Sequence, residues 1–338
     1  MKNKKATIRD VAKEAGVSVA TVSRYINNIS YISPETEQKI KVVMKKLDYK
    51  PNEIARGLAK QKSKTIALII PDISNPFFPE LVVAIEEVAK LKGYSLILVN
   101  SNNDDLKNPK FWKEFQSRYI DGFVLASFEF NEEILKSLQN LQIPFVRVDR
   151  AVDTHTANSV GVDNYKGAIM AVEHLYKLGC EKIAHISGPD VFIPAIDRLR
   201  GYQDTLQKYF PIQEPIVYQG DFAMESGKQL TQRLLEDHPD VDGIFLANDL
   251  MAIGSLKALK MLNINVPTDI AIIGFDGIKI TEMVEPELST IVQPIYRIGV
   301  AATNKLINLI EETDDTEEYQ LEVALVKRES TLGFMPKG

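Results

Sequence analysis

The run Ala6-Thr-Ile-Arg-Asp-Val-Ala-Lys-Glu-Ala-Gly-Val-Ser-Val-Ala-Thr-Val-Ser-Arg24 decides how the amino end is read. Thr7 precedes Ile8-Arg9-Asp10, so a threonine N-cap faces an acidic side chain at the third helical position, as in a capping box. Ile8, Val11, Ala12 and Ala15 recur at helical spacing. Gly16 can take a positive φ and stop that helix. Ser18 can cap a second helix, along which Val19, Val22 and Ile26 are periodic. Ser33-Pro34-Glu35 opens a third with an N-cap serine and a proline at the first helical position. Ile40, Val43, Met44 and Leu47 give it an apolar face. Two short helices around a glycine turn, braced by a third, predict a helix-turn-helix head.

The second helix is the expected reader. Ser18 and Thr21 offer hydroxyls to phosphates at a helix start, where backbone N–H groups also point. Val19 and Ala20 are small enough to meet thymine methyls in the major groove. The competing reading makes them core residues, but Val17 and Val22 already supply the core spacing. Arg24 can reach a phosphate or a base edge. The DNA-contacting set is therefore Thr7, Ser18, Val19, Ala20, Thr21, Ser23, Arg24 and Asn27.

Charge agrees with this head. Residues 1–64 hold 15 Lys/Arg against 6 Asp/Glu, whereas residues 65–338 hold 25 against 40. A basic segment on an acidic body points to nucleic acid, the bland alternative being a solvated basic face. The 338 residues allow a small module plus a larger core. Apolar runs such as Ile66–Ile70 are strand-sized and too short to span a membrane. The start carries positive charge without an apolar run after it, so a cytoplasmic location is expected. Cys180 is the single cysteine, which excludes an intrachain disulfide and a thiolate metal cage.

Between head and body, Pro51-Asn52 breaks the chain, and residues 53–60 could form about two turns of helix, a length marginal on its own. Residues 51–64 read either as a plain linker or as a hinge that folds on DNA. In the second case Asn52, Ala55 and Leu58 join the DNA-contacting set, with Leu58 as an apolar wedge in the minor groove.

From Thr65 onward, short β-branched runs alternate with helical stretches. Strands are expected at Thr65–Ile70, Ser95–Val99, Gly122–Leu125 and Phe145–Val148, and again at Lys182–Ser187, Ile216–Tyr218, Gly243–Leu246 and Ile270–Gly274. Helices are expected at Phe78–Lys92, Tyr165–Leu178, Arg198–Lys208, Glu225–Leu235, Asp249–Lys260 and Arg297–Ile310. Such alternation predicts α/β architecture with parallel sheets covered on both faces, here as two lobes. Ligands of such sheets sit at the carboxyl ends of strands. Asp72, Phe77, Phe78, Asp149, Arg150, Phe222, Asn248 and Asp276 fall there, and Arg198 is expected to begin a helix after the Ser187-Gly-Pro189 loop. Each carboxylate alone could be a solvated loop charge. As a set they suit a polyol, whose hydroxyls need paired donors and acceptors beside flat apolar surface.

The head motif, with Tyr49-Lys-Pro-Asn52 and Ala55-Arg-Gly-Leu58, resembles the lactose/galactose repressor (LacI/GalR) family of transcription regulators. The resemblance runs on through Pro71-Asp-Ile-Ser-Asn-Pro-Phe-Phe78, Val162-Asp-Asn164, Ala247-Asn-Asp249, Ile273-Gly-Phe-Asp276 and Val326-Lys-Arg-Glu-Ser-Thr331. It implies a helix-turn-helix head at 1–50, a hinge at 51–64 and an effector-binding and dimerisation domain at 65–338. That body is of the periplasmic-binding-protein type I, two doubly wound lobes with three chain crossings, placed near residues 162, 291 and 321. Lobe 1 is then about 65–161 and 292–320, and lobe 2 about 162–291 and 321–338. Positions matching Arg198, Phe222, Asn248 and Asp276 contact the effector in the family. A homodimer on a palindromic operator with a central C·G step follows by resemblance, without the carboxyl-terminal leucine heptad of tetrameric members.

The leading expectation is a repressor of a carbohydrate operon, released from double-stranded operator DNA by a sugar or sugar phosphate. The segment from Cys180 to Arg198 is similar to sucrose- and ribose-operon repressors. Within the family the alternatives are a catabolite-control regulator answering to a phosphorylated carrier protein, and a regulator using its effector as corepressor. A solute-binding protein is disfavoured by the basic head. An enzyme is disfavoured by the lack of a nucleophile elbow, a phosphate loop or a zinc-helix motif. His155, His174, His185 and His238 show no ligand spacing, and Trp112 with Phe111 and Phe115 reads as packing. No cofactor and no metal are expected.

Overall fold

The computed structural model describes residues 6–27, 31–50, 63–117, 120–126, 132–148, 158–313 and 320–335. They form two compact units that divide between Ser63 and Lys64. The first holds α1 (Ile8–Ala15), α2 (Val19–Asn27) and α3 (Pro34–Lys46). Thr7 accepts from the Asp10 amide while the Asp10 carboxylate accepts from the Thr7 amide, so the capping box is complete. Gly16 closes α1 at φ 67°, a conformation that costs a side-chain-bearing residue energy. The Ser18 hydroxyl accepts from the Thr21 amide at 3.0 Å and starts α2. Ser33 caps α3, with Pro34 in its first turn. Val11, Ala12, Val22, Ile40 and Val43 bury the face that joins the three helices.

The second unit holds, in chain order, β1 (Thr65–Ile70), α4 (Phe77–Leu91), β2 (Ser95–Asn100), α5 (Asn103–Lys107), α6 (Pro109–Ser117), β3 (Gly122–Ala126), α7 (Glu132–Leu141), β4 (Phe145–Val148) and β5 (Ser159–Val162). There follow α8 (Asn164–Lys177), β6 (Ile183–Ser187), α9 (Ile193–Tyr209), β7 (Ile216–Gln219), α10 (Met224–Asp237), β8 (Gly243–Leu246), α11 (Asp249–Met261) and β9 (Ala271–Asp276). The last elements are β10 (Ser289–Val292), α12 (Ile295–Glu311), β11 (Gln320–Leu321) and β12 (Ala324–Val326). Two six-stranded sheets result, ordered β11-β5-β4-β3-β1-β2 and β12-β10-β9-β8-β6-β7. All the strand pairings described are parallel except β10 with β12.

The central strand β1 explains the layering. Ile66 to Ile70 are all fully buried, as expected for a strand covered on both faces. Leu68 pairs with Leu98 on one side and Val124 on the other. Each such side chain contributes about 1.5–3 kcal/mol by leaving water. Its neighbours Leu68 and Ile69 fall in two different apolar clusters, one on each face of the sheet. Trp112 packs in the second with Phe115 and Phe123, and its indole donates to the Leu106 carbonyl at 2.7 Å.

The chain passes from the first sheet to the second between β5 and α8, returns between β10 and α12, and passes again between β11 and β12. Strands β5, β10 and β11 fall at the crossings that the resemblance places near residues 162, 291 and 321. Strand β12 is not among the expected strands, and its three residues are too short for an alternation pattern to register. Two expected positions are corrected. Arg198 does not begin a helix: α9 starts at Ile193, because Pro194 sits in its first turn, where a fixed φ and a missing N–H cost nothing. Asp276 likewise ends β9 instead of following it. Among the described residues no helix is long and apolar enough to cross a membrane.

Candidate ligand cleft and nucleic-acid interface

A cavity of about 480 Å³ opens where the carboxyl ends of both sheets face each other. The first sheet contributes Asp72, Phe77, Phe78 and Val148 to its wall, and the second contributes Phe192, Arg198, Phe222, Asn248, Asp276 and Gln293. Seven of the nine side chains expected on sequence thus converge. The other two, Asp149 and Arg150, lie outside the described residues. Phe192, Asp221, Met224 and Gln293 belong to the wall without having been singled out. Gln293 directly follows β10, beside the crossing expected near residue 291, which is the signal that marks it.

The floor is polar and buried. Arg198 is 3% exposed and sits in the second turn of α9, over the ring of Phe275 at 3.7 Å. Its Nε donates to Asn164 Oδ1 at 2.9 Å, and one terminal nitrogen donates to the Ala247 carbonyl. The same nitrogen lies 3.6 Å from Asp276 Oδ1. Gln293 donates to that carboxylate at 2.8 Å. The Gln293 carbonyl oxygen is buried without a hydrogen-bond partner, so a donor brought by a ligand would satisfy it. Asn248 caps α11 through the Met251 amide, and its own amide donates to the Phe222 carbonyl at 2.9 Å.

Beneath this floor Asp249 is fully buried. It accepts from Gly277 and Ile278 amides at 2.7 and 3.0 Å and from the Thr290 hydroxyl at 2.6 Å. Burial first, and the neighbouring Asp276 second, raise its carboxyl well above the usual range. Two wall residues hold left-handed backbones: Asp276 at φ 123° and Phe222 at φ 69°. Non-glycine residues there cost on the order of 1–3 kcal/mol and are held only by their surroundings. The Asn248 bond to Phe222 and the Gln293 bond to Asp276 are such restraints.

Chemically the cleft offers a fixed guanidinium, the carboxylates of Asp72, Asp221 and Asp276, side-chain amides and aromatic faces. Phe77 and Phe78 come from one lobe, Phe192 and Phe222 from the other. Paired donors and acceptors beside aromatic faces are the chemistry that a polyol's hydroxyls require. His174 and His185 are buried elsewhere in the second lobe, and His155 lies outside the described residues. Among the described residues no group of three His, Cys, Asp or Glu side chains could hold a metal ion.

In the head, Ser18, just before α2, and Val19, Ala20 and Arg24 within it are exposed, and Val22 alone of that helix is fully buried. Val19, at 43% exposure, is therefore not a core residue. Ser18 spends its hydroxyl on the helix start, bonding Thr21 Oγ1 at 2.8 Å as well. Thr7 does the same at α1. Asn27 is half-buried and donates back to the Ser23 carbonyl at 2.8 Å. Asn52, Ala55 and Leu58 lie outside the described residues.

The head and the body each match a family model. Residues 7–52 match the bacterial regulatory proteins of the lacI family, and residues 63–329 match the periplasmic binding proteins and sugar binding domain of the LacI family. The chain belongs to the LacI family of transcription regulators, with a helix-turn-helix head and a two-lobed periplasmic-binding-protein-like body. It is 42% identical to the ribose operon repressor of Halalkalibacterium halodurans over 97% of each chain. It is 35% identical to catabolite control protein A of Priestia megaterium over 96% of this chain and 99% of that one. Among solved structures it is similar to the lac repressor dimer bound to operator and the anti-inducer ONPF, with TM-score 0.85 and 28% identity over 98% of this chain and 100% of that one.

Proposed function

We propose that this chain represses a carbohydrate-utilisation operon and that a small sugar of the pentose class, D-ribose first among them, releases it from DNA. The observation that carries the reading is the buried Arg198, Asp276, Gln293 and Asn248 floor beneath aromatic walls. A polyol offsets the desolvation of those groups with its own hydroxyls, and its ring lies on the phenylalanines. The relative at 42% identity is a ribose operon repressor, which argues for a monosaccharide of that size. A catabolite-control role through a carrier protein, the second reading, has the relative at 35% identity in its favour. It gives no use for a floor of buried polar side chains.

In this reading residues 1–50 read DNA, 51–64 form the hinge, and 65–338 bind effector and dimerise. Thr7, Ser18 and Thr21 stand at helix starts, where hydroxyls and backbone N–H groups meet phosphates, and Ser23 joins the DNA-contacting set further along α2. Val19, Ala20, Arg24 and Asn27 meet base edges, and Asn52, Ala55 and Leu58 act in the minor groove. Asp72, Asp149 and Arg150 complete the first lobe's share of the effector site. Two chains bind a near-palindromic operator, because one helix reads only a few base pairs. The role is cytoplasmic and regulatory rather than catalytic. The test is a gel shift on an operator that the protein itself selects from random DNA, titrated with D-ribose, other pentoses, sucrose and ribose 5-phosphate. Release by a pentose supports the reading. Tighter binding reverses its sign, and indifference to every sugar removes it.

A further inference from the structure

The Phe222 ring lies against Gly188, which has no side chain. A Cβ built on Gly188 would come within 2.2 Å of the ring's Cζ and 2.4 Å of a Cε, far inside contact distance. Gly188 follows β6 in the loop to α9, and its backbone is not left-handed, so its conformation does not call for glycine. The ring does. The Phe222 backbone is held, since its carbonyl accepts from Asn248, while its ring meets that of Phe192 at a steep angle, 6.0 Å between centroids. Two residues earlier, the Gly220 amide donates to the Ser187 carbonyl at 2.8 Å and ties the β7 end to the β6 end. The backbone on both sides of the contact is thus fixed, and the ring is the part that can move.

We propose that Gly188 is a positioning residue that sets the width of the cleft: its missing side chain lets the Phe222 ring recess onto the loop backbone. A side chain at 188 would push the ring toward the ligand space, because the opposite direction is loop backbone. Width at this wall decides which sugar rings lie flat between the lobes, so Gly188 acts on effector selectivity through Phe222. The selectivity part rests on the sugar-effector reading above, and the ring position does not.

The test uses the full-length protein and three variants: Gly188→Ala, Phe222→Leu and the two combined. Crystal structures without sugar read the ring, and calorimetry with D-ribose reads the cleft. The expected result is a displaced Phe222 ring in Gly188→Ala and a D-ribose affinity lower by about tenfold, the scale of an overpacked contact. The double variant should lose no more than Phe222→Leu alone, since a shorter side chain leaves room for the added methyl. A ring in its original place overturns the proposal, and so do additive losses in the double variant. If the parent protein does not bind D-ribose, the pentose reading fails, and ring displacement alone then decides whether Gly188 sets the wall.

Discussion

One terminal nitrogen of Arg198 lies 3.6 Å from Oδ1 of Asp276, and both residues are nearly sealed from solvent, at 3% and 6% exposure. Taking two charges out of water is costly, and imperfect mutual geometry does not fully offset it. Asp276 also accepts from Gln293, and Arg198 also donates to Asn164 and Ala247. Asn164 begins α8 just past a crossing between the lobes, so the guanidinium is held at the hinge itself.

Arg198→Ala should therefore abolish the response to effector while operator binding persists. Removing one partner of a buried charge pair typically costs about 2–5 kcal/mol. The expected outcome is a loss of effector affinity of thirtyfold or more, about 2 kcal/mol. Calorimetry with the releasing sugar and a gel shift with and without it read the two effects. An unaltered sugar response takes Arg198 out of the site.

Thr21→Ala and Arg24→Ala should each weaken operator binding without changing the melting of the body. Arg24 is exposed on α2, and Thr21 lies at its first turn. A base-edge contact is worth about 1–3 kcal/mol of discrimination, whereas losing a charged phosphate contact reduces the salt slope by about one. Binding isotherms at several salt concentrations separate the two roles. Operator binding like that of the parent in both variants places the reading helix elsewhere.

Much of this was legible in the sequence for local reasons. Thr7 with Asp10, Gly16, and Ser33 with Pro34 are short-range signals, and their helices begin and end where those signals stand. The fully apolar run of β1 declared a strand buried on both faces. Illegible were the features made by distant partners. The two-residue β11 exists because β5 lies beside it, 159 residues earlier from Gln320 to Gly161. Gln293 joins the floor only because β10 pairs with β9 and brings it to Asp276. Pro194 sits in the first turn of α9, and the earlier start carries Arg198 into the second turn.

Leu58→Ala should cost operator affinity and DNA bending while leaving effector affinity nearly unchanged. The sequence motif around Leu58 carries this expectation, as a wedge that unstacks a central base step at a cost of a few kcal/mol offset by its contacts. Affinity measured with bent-DNA mobility on one fragment reads both effects. Full bending and full affinity in the variant would make residues 51–64 a plain linker.

Acid should weaken the body through its buried histidines. His185 Nδ1 donates to the Phe245 carbonyl at 2.9 Å, and the ring is stacked between those of Tyr202 and Phe245. His174 lies 2.9 Å from the Thr331 hydroxyl. Burial is the main cause that lowers each to about 4, helped at His185 by Arg198 and at His174 by Lys327 and Lys177. In the unfolded chain both titrate near 6.5. Between those values the unfolded state takes up protons that the native state refuses. Their contribution is therefore complete above pH 6.5 and declines as pH falls toward 4, by at most about 1.4 kcal/mol per pH unit for each histidine. Asp249 works in the opposite direction, since a raised carboxyl is relieved of its buried charge as pH falls. The comparison that isolates the histidine is His174→Gln, whose amide can still bond Thr331. Between pH 7 and pH 5 the melting temperature of the parent protein should fall further than that of the variant. Equal falls in calorimetry would mean that His174 is not a source of the acid sensitivity.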